Sequence, residues 1–295
     1  MLKVALVTAA TARELDEDLP PLLRALQERG LAAEPAVWDD PAVDWASYAL
    51  AVVRSTWDYV ARRDAFLAWA ERVAARIPLA NPPAILRWNT DKRYLRELAE
   101  AGAAVVPTAW IGPGDPVRLP SDGPFVVKPA VSAGSMDTAR YAPSDAPAAA
   151  AHVRRLQEAG RTAMVQPYLE SIDEQGETGM VFLEGQYSHA IRKGAILRPD
   201  VEYVGGLFAK EDIRRRDPSG DERAVADRVL SLVPGGAGGL LYARVDVAPG
   251  PEGRPVLLEL ELAEPSLFFA CSDGAERRLA RAIADRLQAG RSRQP

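Results

Sequence analysis

Between Tyr242 and Leu262 two segments of alternating apolar and polar residues, Tyr242 to Val247 and Val256 to Leu262, flank the turn-forming run Gly250-Pro251-Glu252-Gly253. A period of two on both sides of such a turn specifies an antiparallel hairpin and leaves few other folds open. With the turn centred between Glu252 and Gly253, Asp246 faces Glu259 and Arg244 faces Glu261 on one side. Val245, Val247, Leu258, Leu260 and Leu262 then point the other way, into a core. Carboxylates set opposite one another repel, and Arg244 supplies a single counter-charge. A divalent cation at Asp246, Glu259 and Glu261 would supply the rest, and Mg²⁺ accepts a few carboxylates together with phosphate oxygens. A solvated polar face of the hairpin is the alternative, and spacing alone leaves both readings open.

The N-terminal part has a different rhythm. Lys3 to Thr8, Ala33 to Trp38 and Leu50 to Arg54 have the character of strands. Asp18 to Arg29 carries Leu19, Leu22, Leu23 and Leu26 on one helical face, and Arg62 to Arg76 carries Phe66, Trp69 and Val73 at helical spacing. This alternation predicts a small parallel sheet with helices packed on it, with ligand contacts beyond the C-terminal ends of its strands. Arg54, Ser55, Thr56 and Asp58 lie at such an end, and they combine a carboxylate clamp, hydroxyls and an ammonium partner for an amino-acid-like substrate. Trp57 and Tyr59 are candidates for the pocket wall or the core.

Pro78, Pro82 and Pro83 mark a boundary. A helix from about Thr90 to Ala101 is predicted next, with Lys92 in its first turn, where a cation opposes the macrodipole. Phe125 to Pro129 is a strand whose Lys128 precedes the small-residue loop Val131 to Asp137, so that Lys128 and the loop amides could close on phosphate from two sides. An edge-strand lysine is the plain alternative, and no G-x-x-x-x-G-K-[ST] pattern is present. Ser132, Gly134 and Ser135 suit a lid. Helices over Ser144 to Ala159 and Ala275 to Leu287, a strand over Ala163 to Gln166, and a hairpin of Gly179 to Leu183 with Gln186 to Ile191 complete the pattern. Lys193 shares a face with His189 and Ile191 and is preferred to Arg192 for a phosphate or substrate contact. The run Arg214 to Asp217 is expected as a solvated loop and Gly290 to Pro295 as a loose tail.

Composition narrows the chemistry. The 295 residues, 47% of them hydrophobic, suffice for more than one lobe. A net charge of −5 with no basic stripe speaks against nucleic acid or an anionic membrane as partner. No apolar run approaches the length of a membrane span or a secretory signal, which implies a soluble, cytoplasmic protein. One cysteine and two histidines leave oxygen ligands for any metal. Cys271 is read as a packed residue, not a nucleophile.

Taken in order, Asp91-Lys92, Phe125-Val126-Val127-Lys128-Pro129 with its loop, Gln166-Pro167-Tyr168-Leu169, and Arg244-Val245-Asp246 with Glu259-Leu260-Glu261 resemble the ATP-grasp superfamily over nearly the whole chain. The resemblance implies an α/β chain, α+β in its C-terminal part, with an ATP-grasp fold behind an N-terminal parallel-sheet domain. The divisions it implies are 1–85 for a substrate domain, 86–165 for a central ATP-grasp subdomain and 166–295 for the C-terminal subdomain with the metal site. It places Lys92 and Lys128 on ATP phosphates under the Ser132, Gly134 and Ser135 loop, and the peptide from Gln166 through Pro167 and Tyr168 to Leu169 on adenine. Asp173, Glu174 or Glu177 would hold ribose, Asp246, Glu259 and Glu261 would hold Mg²⁺, and Arg244 would steady the transferred phosphoryl group. Glu261 departs from the usual Glu-x-Asn ending and implies one more anionic ligand.

Val53 to Tyr59, Leu86 to Lys92 and Leu258 to Glu261 followed by Pro265 further resemble the group of the O-ureido-serine cyclo-ligase of D-cycloserine biosynthesis. That resemblance implies activation of the O-ureido-D-serine carboxylate as an acyl phosphate, followed by ring closure. An intermolecular carboxylate-amine ligase and a non-catalytic ATP-binding protein are the alternatives. Homo-oligomerisation stays open.

Overall fold

The computed structural model describes residues 2–197, 203–204, 208–209 and 212–291. The N-terminal chain forms β1 (Lys3–Thr8), α1 (Leu19–Glu28), β2 (Ala32–Val37), β3 (Leu50–Ser55), α2 (Arg63–Ala74) and β4 (Leu79–Ala80). These strands make a wholly parallel sheet in the order β2-β1-β3-β4. Pro20 and Pro21 open α1, where a missing N–H costs nothing. One sheet face meets α2 through Trp38, Trp45, Tyr59, Phe66 and Trp69, with Phe66 and Trp69 stacked at 5.4 Å.

The helix predicted over Thr90 to Ala101 is shortened to α4 (Tyr94–Glu100), a further short helix, α3 (Pro83–Asn89), precedes it, and Lys92 lies in the turn between them. The Lys92 N–H bonds the Ala130 carbonyl at 2.8 Å. Next come β5 (Ala109–Ile111), β6 (Phe125–Pro129), β7 (Ala139–Tyr141), α5 (Ala146–Glu158) and β8 (Ala163–Pro167). They form an antiparallel sheet, β5-β8-β6-β7, with α5 packed on it through Ala149, Val153 and Leu156.

The remainder holds α6 (Ser171–Gln175), β9 (Glu177–Leu183), β10 (Gln186–Lys193), the short pair β11 (Tyr203–Val204) and β12 (Phe208–Ala209), β13 (Ile213–Arg215), α7 (Gly220–Ser231), β14 (Tyr242–Pro249), β15 (Pro255–Glu261) and α8 (Ala275–Arg291). Its main sheet is antiparallel, β13-β10-β9-β14-β15. The segment expected as a loop at Arg214 thus includes the edge strand β13, paired with Ile191 to Lys193. Gly290 and Arg291 end α8; the rest of the expected tail, residues 292–295, lies outside the described residues.

The outer edge of β15 is closed by side chains. Asn89 accepts the Leu262 N–H and donates to the Leu260 carbonyl, each at 2.7 Å, and the Tyr94 hydroxyl takes the Leu260 N–H at 2.9 Å. An edge left open would expose unpaired backbone groups, so α3 and α4 fix the strand that carries Glu259 and Glu261. The N-terminal sheet and the C-terminal sheet share one core: Leu6, Leu22 and Leu26 pack in the same cluster as Val181, Tyr242, Leu279 and Ile283. Among the described residues no helix is long and apolar enough to cross a membrane.

Candidate active site

The observed hairpin register sets Arg244 opposite Glu261 and Asp246 opposite Glu259. Beyond Asp246 the register shifts, Val247 pairing with Leu257, so Leu258 is an extra residue. This corrects its expected place in the core: Leu258 is only half-buried and lines the cleft, whereas Val245, Val247, Leu260 and Leu262 are buried as expected. On the other side of β14, Asp246 faces Gly179 of β9. A Cβ there would come within 2.9 Å of Asp246 Oδ1, so the glycine makes room for the carboxylate.

Arg244 does not stand alone as counter-charge. Its Nε and Nη2 donate to the two oxygens of Asp246, each at 2.9 Å, and Nη2 also bonds Glu261. Lys193 approaches Asp246 at 3.3 Å and Glu177 at 3.6 Å, and Lys92 meets Glu259 at 3.1 Å. Accordingly, among the described residues no three acidic, histidine or cysteine side chains are arranged to hold a metal ion as they stand. Part of the counter-charge that the hairpin alone lacks is thus supplied by Lys193 and Lys92.

The electrostatics follow from this pairing. Burial pushes Asp246 upward, but Arg244 and Lys193 outweigh it and hold the carboxyl below the ordinary range. Burial likewise raises Glu259, and Lys92 and Lys128 overcome it. For Glu261 burial wins against Arg244, and the carboxyl is pushed up to about 7. Burial lowers the Lys128 ammonium, with Glu259 opposing and Lys92 assisting.

Apart from Asp246, which is buried behind Arg244, these groups lie at the floor of one cleft of about 1130 Å³. Lys92, Lys128 and Lys193 all line it, as do Ser132, Gly134 and Ser135. Lys92 Nζ donates to the Ser132 carbonyl at 2.6 Å and lies 3.1 Å from its hydroxyl, which ties the loop to the floor. Behind the loop, Asp137 accepts from Arg155 at 2.6 Å and Arg161 at 3.1 Å. The apolar end of the cleft is walled by Val106, Val126, Leu169, Ile172 and Leu258. Gln166, Pro167 and Tyr168 line it too, but the Gln166 side chain is spent on Thr108 and the Tyr168 N–H on the Pro124 carbonyl. Arg140 lies over the Tyr168 ring at 3.7 Å.

Of the acidic residues expected near ribose, Asp173 bonds Arg140 and the Tyr168 hydroxyl, Glu174 is exposed, and neither lines the cleft. Glu177 does. The segment after β3 is corrected in the same way. Arg54, Ser55 and Thr56 are wholly buried beneath the cleft surface, and Asp58 turns away to Trp38 at 2.9 Å and Arg62 at 2.7 Å. Trp57 and Tyr59 form the wall there. A short helical turn over Trp57–Arg62 replaces strand alternation and decides which side chains face inward.

What the cleft presents at that end is acidic. Asp16 is 4% exposed; its Oδ1 takes the Asp18 N–H at 3.0 Å and its Oδ2 has no hydrogen-bond partner among the described residues. Burial, opposed by Arg54, raises its carboxyl. Glu264 is pushed up to about 8 by burial and by Glu261. Both line the cleft. Asp16 follows the C-terminal end of β1, so the strand-end rule that singled out Ser55 to Asp58 points equally to this loop; nothing in the local pattern marks Glu264.

The chain has the same fold as the ATP-grasp ligase PsnB, solved with a phosphomimetic variant of its minimal precursor, Mg and ADP: TM-score 0.61, 18% identity, covering 95% of this chain and 97% of that one. The fold is that of the ATP-grasp ligases. A family model described as the N-terminal domain of D-cycloserine synthetase DcsG matches residues 4–81. The cycloserine biosynthesis protein DcsG of Streptomyces lavendulae is 41% identical over 97% of this chain and 99% of its own length. A crystal structure of D-cycloserine synthetase DcsG superimposes with a TM-score of 0.86 at 38% identity, covering 97% of this chain and 99% of that one. The chain belongs to the D-cycloserine synthetase family.

Proposed function

We propose that this enzyme uses Mg-ATP to phosphorylate the carboxylate of O-ureido-D-serine and then closes the ring to D-cycloserine, releasing ADP and phosphate. The observation that carries this reading is the convergence of Lys92, Lys128, Lys193 and Arg244 with Glu259 and Glu261 on one cleft floor, with Asp246 buried directly behind Arg244 and Lys193. Four cations suit a polyphosphate, and an apolar slot at one end suits a purine. The acidic end suits the ammonium of an amino acid, and we assign that contact to Asp16 and Glu264 in place of Asp58.

The donor set fits Mg²⁺: hard carboxylate oxygens on adjacent strands, facing the side where phosphates would lie. Asp246, Glu259 and Glu261 would hold it, and it would neutralise charge on the transferring phosphoryl group. In the free enzyme Asp246 is paired with Lys193 and Glu259 with Lys92, so entry of the nucleotide exchanges one set of ion pairs for another. Lys92 and Lys193 pass to phosphate oxygens, and Arg244 steadies the γ-phosphoryl group as the substrate carboxylate attacks it. The Ser132 to Ser135 loop, tethered through Lys92, excludes water from the acyl phosphate. The oxygen-bonded ureido nitrogen then displaces phosphate, and one water hydrolyses the carbamoyl group from that nitrogen as carbon dioxide and ammonia, leaving the isoxazolidinone ring once the acyl phosphate has been consumed. Glu177 is our candidate for the ribose contact, with the Gln166 to Leu169 segment against adenine.

Purified enzyme with ATP, Mg²⁺ and O-ureido-D-serine is expected to release ADP and phosphate, and hydroxylamine should trap the acyl phosphate. Glu259→Gln should abolish trapping. Turnover only with a separate amine or amino-acid acceptor would replace ring closure by intermolecular ligation. No nucleotide turnover with any carboxylate would leave a binding protein.

A further inference from the structure

The residues after β15 do not line the cleft by chance of a loop. Leu267, Phe268 and Phe269 direct three consecutive N–H groups at one carboxylate, that of Asp18, at 2.6, 3.1 and 2.9 Å. Successive amides can converge this way when one residue adopts the left-handed conformation, forming a concave seat for an anion. Phe268 is that residue, at φ 52° and ψ 51°, a region that bulky side chains seldom enter. The anion comes from the other end of the chain, from the residue preceding α1.

The seat is held on both sides. Arg54, fully buried, lies 3.6 Å from Asp18 and donates to the Pro265 carbonyl at 3.2 Å. His189 Nε2 lies 2.7 Å from the Leu267 carbonyl. Between these fixed points is Ser266, whose carbonyl accepts from Arg244 Nη1 at 2.9 Å, and the Phe268 ring lies 5.4 Å from the same guanidinium. Arg244 is thus gripped from two directions. Asp246 holds Nε and Nη2 from within the sheet, and the loop holds Nη1 from outside it. The first grip is fixed by strand pairing; the second is only as well placed as the loop.

We propose that Asp18 is a positioning residue for Arg244, setting the guanidinium through the Leu267 to Phe269 amides and the Ser266 carbonyl, so that phosphoryl transfer depends on seating of the N-terminal sheet. The proposal rests on the role of Arg244 assigned above. Its rival is a purely structural role, in which Asp18 joins two parts of the molecule and does nothing to Arg244.

A double-mutant cycle separates the two. Single-turnover formation of ADP and hydroxylamine-trapped acyl phosphate is measured for the wild type, Asp18→Asn, Arg244→Lys and the double variant, each with ATP, Mg²⁺ and O-ureido-D-serine. Asp18→Asn is expected to slow phosphoryl transfer on the order of tenfold or more, with KM for ATP within about twofold, and to add little once Arg244 is already lysine. Fully additive losses would overturn the proposal while leaving Arg244 in place. An unchanged rate in Arg244→Lys would instead overturn the reading of Arg244 itself. Should Asp18→Asn fail to fold, Asp18→Glu serves: it keeps the charge but moves the carboxylate by one methylene relative to the three amides, touches nothing on Arg244, and the same non-additivity with Arg244→Lys is required of it.

Discussion

Gly179 shows how closely the site depends on single atoms. It stands opposite Asp246 in the β9-β14 register, and a Cβ would lie 2.9 Å from the carboxylate and 2.9 Å from Ile191 Cδ1. The ladder partners cannot retreat without breaking the sheet, so Asp246 would have to rotate away from Arg244. Gly179→Ala should therefore reduce acyl-phosphate formation on the order of tenfold to a hundredfold while the protein still melts cooperatively. A kinetic assay beside a thermal melt checks it; an alanine variant with wild-type turnover would show that Asp246 has slack. The partly buried Glu261, pushed up to about 7 and bonded to Arg244, is the member of the carboxylate group that stands closest to neutrality at physiological pH.

At the scale of an element, α7 is the longest of the described helices that no expectation covered, although its start carries a capping box. Ser219 accepts the Glu222 N–H and Glu222 accepts the Ser219 N–H at 2.7 Å. Glu222 also accepts from Thr178 of β9 at 2.6 Å and meets Arg216 at 3.3 Å, so it fastens the helix to the sheet. Burial pushes its carboxyl up, but the bonds from Thr178 and Ser219 and the charge of Arg216 outweigh this and hold it below the ordinary glutamate range. A depressed carboxyl stabilises the fold above its unfolded pKa and loses that contribution as pH falls through the folded value. Glu222→Gln should cost on the order of 1–3 kcal/mol at pH 7, and the gap to the wild type should close on acidification. Urea melts at pH 7 and at about pH 3 to 4 measure it; a gap independent of pH would mean that the charge of Glu222 is not what fastens α7.

At the scale of the whole molecule, one face of the parallel sheet is finished by the C-terminal chain. Leu22 and Leu26 of α1 share their cluster with Leu279, Ile283 and Leu287 of α8. Polar ties cross the same boundary: the buried Tyr242 hydroxyl lies 2.7 Å from the Val53 carbonyl, and Asn81 bonds the Leu241 N–H and the Leu262 carbonyl at 2.7 and 2.8 Å. Residues 1–85 expressed alone should therefore lack a cooperative thermal transition, whereas the full chain should unfold as one unit with respect to this boundary. Circular dichroism melts of both test it. A sharp melt in the fragment would show that the parallel sheet closes its own core.

Alternation and turn chemistry were enough to place the β14-β15 hairpin and the parallel N-terminal sheet, because period is a local property that neighbouring residues enforce; the expected pairing of Asp246 with Glu259 is met only through the bulge at Leu258, since nearer the turn Val247 pairs with Leu257. The order of the four segments from Asp91 to Glu261 was likewise legible, and with it the ATP-grasp class. Three things were decided only by the tertiary structure. The bulge at Leu258 depends on which strand lies across from it. The charges that balance Asp246 and Glu259 come from Lys193 and Lys92, residues distant in sequence. The loop that anchors Arg244 is shaped by Asp18, about 250 residues away by chain. Electrostatic balance and backbone caps are settled by proximity in space, and no one-dimensional pattern encodes which residues will supply them.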